Sequence, residues 1–99
     1  MSIVHMVMWK YRAETDAVIR EDHISKLRAL PSLFSDILEF EVGADVLKLD
    51  RSFDTGLYSR FADLAALEAY TIHPEHQKVA AFGREIAEKV ISVDFESPS

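Results

Sequence analysis

The chain has 99 residues, of which 48% are apolar, 10% aromatic and 28% charged, too apolar for a disordered tail and sized for one globular domain. Lys and Arg number 11 against 17 Asp and Glu, so the formal charge is −6, which argues against nucleic-acid binding. Cys is absent, which excludes disulfide scaffolds, thiolate nucleophiles and cysteine–zinc sites.

The opening Met1-Ser2-Ile3-Val4-His5-Met6 has no basic segment followed by a continuous apolar run. No signal peptide or membrane helix is expected, and a cytoplasmic protein is the default. Ile3 to Tyr11 predicts a strand with Ile3, His5, Val7, Trp9 and Tyr11 on one face and Val4, Met6, Met8 and Lys10 on the other. Both faces are apolar, so both should be covered. Thr15 and Asp16 are expected to cap a helix running to about Leu30, ended by Pro31. Its inward stripe would be Ile19, His23, Leu27, Leu30 and Phe34.

Leu38, Phe40 and Val42 alternate with Glu39 and Glu41 as a second strand, followed by Gly43. Asp54-Thr55-Gly56 is a turn signal before a third strand over Leu57 to Phe61. Asp63 should cap a short helix with Leu64, Leu67 and Tyr70 on one face. Pro74 fits the first position of a last helix with Val79, Phe82, Ile86 and Val90 at spacings of three and four. Ile91, Val93 and Phe95 form a fourth strand. Residues 1–96 are expected to be one domain, with 97–99 as a tail.

The order β-α-β-β-α-α-β predicts an α+β domain with a four-stranded sheet. Helices can cover only one face of that sheet, and the first strand has no polar face. A second copy is the simplest cover, so a homodimer is expected.

Three residues are candidates for one acid–base site. His76 would lie in the first turn of its helix, where the positive dipole end favours a neutral imidazole able to act as base. Tyr70 could donate to a developing oxyanion, and His5 could direct it. Each also has an ordinary structural reading: His5 as a core histidine, Tyr70 as a packed aromatic, His76 as a surface residue. His23 reads first as packing and second as a pocket wall, and His73 as a helix-end residue. His73 and His76 lack a recognisable third ligand, so no metal site is expected, and no phosphate loop or nucleophile elbow is present.

Ile3 to Lys10, Leu30-Pro31 through Phe40 and Val42 to Gly43, and Gly56 to Phe61 followed by Leu67, Tyr70, His73-Pro74 and His76 resemble the stress-responsive A/B barrel (Dabb) family over nearly the whole chain. That resemblance implies a ferredoxin-like protomer with an antiparallel sheet, paired into a dimeric α/β barrel. It also implies similarity to a plant polyketide cyclase that works without a cofactor. There His76 would deprotonate carbon, Tyr70 would polarise the attacked carbonyl, and His5 would hold Tyr70. The stretch Asp22-His23-Ile24-Ser25 lacks aromatics, which points to a smaller or more polar ligand than a long alkyl chain.

The expected protein is therefore a cytoplasmic homodimer with a small-molecule pocket in the barrel. His5, Tyr70 and His76 are its candidate catalytic residues, and Trp9, His23, Ile24, Leu27, Phe40 and His73 its candidate substrate-binding residues. No cofactor, nucleic acid or membrane is expected as a partner. The reaction would be proton transfer beside a carbonyl, by a cyclase, isomerase or lyase. The alternative is a stress-linked binding or stability protein without turnover.

Overall fold

A computed structural model describes residues 1–98. The elements are β1 (Ser2–Tyr11), α1 (Ala17–Ala29), a 3-10 turn (Leu30–Leu33), β2 (Ile37–Ala44), β3 (Thr55–Phe61), α2 (Leu64–Ile72), α3 (Pro74–Ile86) and β4 (Ala87–Ser97). The sheet runs β2-β3-β1-β4 with every neighbouring pair antiparallel. This is the expected α+β order.

The helix starts follow from their caps. The Asp16 carboxylate accepts from the Ile19 amide at 3.0 Å, and Asp63 accepts from the Ala66 amide at 2.8 Å. Each satisfies one of the amides that a first helical turn leaves without an internal partner. Pro74 opens α3, where its missing N–H costs nothing.

Period-two alternation on β1 and β3 places Ile3, Trp9, Tyr11, Leu57 and Phe61 on one sheet face, where α1 adds Leu27 and α2 adds Leu67 and Tyr70. Fully burying a large apolar side chain stabilises by roughly 1.5–3 kcal/mol relative to leaving it exposed. Phe61, at 0% exposure, is a centre of this core.

Four details differ from the pattern read in the sequence. Val90 belongs to β4 and not to the last helix, because the chain becomes extended at Ala87. Leu38 falls out of line with Phe40 and Val42, because a register shift between Ile37, which pairs with Phe61, and Glu39 leaves it exposed. Ile19 of α1 is exposed, so the inward stripe of that helix is His23 and Leu27. Ser97 is the last residue of β4 and not part of a tail; Ser99 lies outside the described residues.

Among the described residues, no helix covers the other sheet face. The register sets Met6 between Tyr58 and Val93, and Met8 between Gly56 and Ile91. Val93 is 50% and Phe95 46% exposed in the single chain.

Candidate active site

His5 sits mid-strand on the helix-covered face. The β1–β4 pairing sets Asp94 directly opposite it, and the Asp94 carboxylate takes a short hydrogen bond from His5 Nδ1. On the other flank, the Ser59 hydroxyl donates to the His5 carbonyl at 2.8 Å. The imidazole is thus oriented by a carboxylate, and no hydrogen bond joins it to Tyr70 among the described residues, so the expected hold of His5 on Tyr70 is absent.

Tyr70 lies in the last turns of α2 and is 1% exposed. Its ring stands 5.0 Å from Phe61, 5.2 Å from Phe34, 6.1 Å from His5 and 4.3 Å from His76, centroid to centroid. The hydroxyl has no hydrogen-bond partner among the described residues. Burial raises its pKa above the usual phenol value, so the group stays an O–H donor.

His76 is the third residue of α3, and its Nδ1 donates to the Thr71 carbonyl at 3.1 Å. Burial lowers its pKa, against the effect of the Thr71 bond and with help from the nearby His5, Arg84 and His73. A neutral imidazole with a free Nε2 lone pair results.

These three side chains line one cavity of about 210 Å³, together with Val7, Trp9, Leu27, Leu57, Ala80, Arg84, Val90 and Ser92. The cavity lies between the sheet and the helices, on the opposite side of the sheet from the open face. A pocket in the barrel, between two facing sheets, is not where these residues meet.

Of the residues expected to line it, His5, Trp9, Leu27, Tyr70 and His76 do. Phe40 stands behind Tyr70, with ring centroids 6.4 Å apart. His23 is 0% exposed and packs against Trp9 at 4.9 Å. Its Nδ1 donates to the Tyr11 oxygen at 2.7 Å, and Tyr11 donates in turn to Thr55 Oγ1 at 2.8 Å. Burial lowers its pKa to about 4. Ile24 borders a separate surface depression with Glu21, Ser25 and Arg28. His73 caps α3, its Nδ1 accepting from the Glu75 amide at 3.1 Å, and packs edge-on to Phe34.

Two lining or flanking groups escaped the sequence reading. Asp94 is a lone carboxylate between Val93 and Phe95, and Arg84 follows His76 and Ala80 at spacings of four on α3. Both signals are present in the sequence. Among the described residues, no three His, Cys, Asp or Glu side chains come together as metal ligands.

Several solved structures share this fold. A dimeric ferredoxin-like protein of unknown function from Thermobifida fusca is 21% identical, with a TM-score of 0.90 over 98% of this chain and 92% of its own. A dimeric ferredoxin-like protein of unknown function from Bacteroides fragilis is 28% identical, with a TM-score of 0.84 over 97% and 96%. The hydroxynitrile lyase from Passiflora edulis is 17% identical, with a TM-score of 0.86 over 99% and 95%. No curated protein matches the chain. The fold is ferredoxin-like, and residues 3–97 match the model of the stress responsive A/B barrel domain. The chain belongs to the stress-responsive A/B barrel (Dabb) family.

Proposed function

We propose that the cavity binds a small carbonyl compound and catalyses proton transfer at the carbon beside the carbonyl, as a cyclase, isomerase or lyase would. His76 Nε2 takes the proton from carbon, and the electron pair moves onto the carbonyl oxygen. The Tyr70 hydroxyl donates a hydrogen bond to that oxygen as its charge grows. The His76 imidazolium then returns that proton to the product, and His5, oriented by Asp94, is the second imidazole lining the site. The step needs no group beyond these side chains.

The observation that carries the reading is the pairing of a His76 whose Nδ1 is held by the Thr71 carbonyl with a phenol that has no partner among the described residues, both lining one cavity. That a lyase shares the fold is in keeping with it. We further propose that two copies join through the open sheet face, since the apolar row of Met6, Ile91, Val93 and Phe95 needs cover and similar structures are dimeric. The expected compartment is the cytoplasm, in keeping with a chain without Cys.

Thermal-shift screening of small carbonyl compounds identifies ligands, because binding to the native state raises apparent stability. Carbon-bound deuterium uptake by each ligand in D₂O then reads the chemistry. Catalysed uptake that is lost in His76→Gln supports the proposal. Ligands that bind without catalysed uptake would assign the cavity a binding role without turnover.

A further inference from the structure

We infer that the compound this cavity takes is an oxo acid, and that Arg84 binds its carboxylate. This rests on reading the cavity as a ligand site and deepens it by naming the charge of the ligand.

The lining contains one permanently charged side chain, Arg84, and no acidic residue, in a chain with a formal charge of −6. Asp94, next to that lining, has its carboxylate bound to His5. Four of the other five arginines are engaged within the fold: Arg12 with the Glu85 carbonyl, Arg20 with Asp54, Arg28 with the Val42 carbonyl and Arg60 with Glu39; Arg51 is exposed and lies outside this cavity. Arg84 has neither a hydrogen bond nor an ion pair among the described residues. A guanidinium presents its donors as a planar fork that matches a carboxylate bidentately.

Placement and chemistry agree. His76 and Arg84 are eight residues apart on one face of α3, which puts them ~12 Å apart along the axis at ~1.5 Å per residue. Because the long Arg84 side chain covers part of that span and lines the same cavity as His76, a short ligand can hold its acidic carbon near His76 while its carboxylate meets the guanidinium. The positive charge of Arg84 opposes the imidazolium that His76 becomes when it takes a proton. A bound carboxylate cancels that opposition, so an anionic substrate favours the step as well as the binding. The cavity of about 210 Å³ is below the ~300–1,000 Å³ of sites for drug-sized ligands, which fits a short chain.

The test compares 4-oxopentanoate with its methyl ester, which has the same ketone and no charge, by calorimetry at low salt. The wild-type protein is expected to bind the acid about ten-fold more tightly than the ester. Arg84→Gln should remove that preference with ester affinity unchanged, and Arg84→Lys should keep part of it. Because Arg84 has no partner among the described residues, melting of Arg84→Gln should match wild type, which checks that the variant is folded. Deuterium uptake at the carbon beside the ketone is read on the same samples. An Arg84-dependent preference without catalysed uptake would uphold the carboxylate site while the acid–base reading fails. Equal binding of acid and ester, a preference that survives in Arg84→Gln, or no binding of the acid at millimolar concentration would overturn the inference.

Discussion

The Thr71 carbonyl accepts the Nδ1 proton of His76 at 3.1 Å, across the break between α2 and α3. A carbonyl cannot donate, so the imidazole proton is fixed on Nδ1 and the lone pair on Nε2. Thr71 belongs to the last turn of α2, where carbonyls have no amide partner within the helix. The Pro74 break turns that orphan acceptor onto the first turn of α3. The helix interruption therefore does chemical as well as topological service, by setting the tautomer of the proposed base.

Tyr70→Phe should separate chemistry from packing. The hydroxyl has no partner among the described residues, so its removal leaves nothing buried unsatisfied. Stability should change by less than about 1 kcal/mol, while catalysed proton transfer should fall roughly 10²–10³-fold. Thermal melts and exchange rates measure the two effects. A large stability loss with an unchanged rate would assign Tyr70 to packing alone.

Gly83→Ala should destabilise the fold although alanine favours helices. A Cβ at this position would come within 2.9 Å of both His23 Nε2 and Trp9 Nε1. Neither ring can retreat easily, since Tyr11 holds His23 and Trp9 is buried. Overpacking of this kind costs about 1–3 kcal/mol, against at most ~1 kcal/mol gained in helix propensity. A lower Tm is expected in calorimetry; an unchanged or higher one would contradict the packing described here.

His23 predicts how stability depends on acidity. Its native pKa of about 4 lies below the ordinary histidine value of 6.5, so the unfolded chain binds the extra proton between those limits. Stability should fall as pH drops from about 6.5 toward 4, by about 3 kcal/mol in total, and this contribution should level off below. The folded state keeps His23 neutral because its Nε2 is buried without a partner. Urea unfolding between pH 4 and 7 should show the slope in wild type and a shallower one in His23→Gln. Equal slopes would mean that His23 is not the group responsible.

The element order, the Asp16 and Asp63 caps, the Pro74 break and the core face of β1 were all legible, because each is encoded by residues close together in the chain. His5, Tyr70 and His76, singled out together in the sequence, line one cavity. What escaped was set by partners distant in sequence. Asp94 meets His5 across 89 residues, through strand pairing that local pattern does not announce. His23 faces the interior as expected, yet Tyr11 and Trp9 enclose it away from the cavity. The irregularity at Leu38 has no turn residue to mark it, so simple alternation put Leu38 in line with Phe40 and Val42.

The open sheet face predicts the assembly. A stable interface buries about 800 Å² on each partner, and this face offers the row of Met6, Ile91, Val93 and Phe95. Sedimentation should show a dimer for wild type and a folded monomer for the double variant Val93→Lys and Phe95→Lys. A monomeric wild type, or a dimer that survives both charges, would show that this face is not the interface.

The most direct test of the acid–base centre is the protonation of His76 itself, followed by ¹⁵N NMR of the imidazole rings as pH is varied. Neutral His76 with its proton on Nδ1 at pH 7, titrating below 6.5, is the predicted result, since burial lowers its pKa. Catalysis should then fade as pH drops through that same titration, because the base form is lost. A ring protonated on Nε2, or an imidazolium at pH 7, would contradict the account.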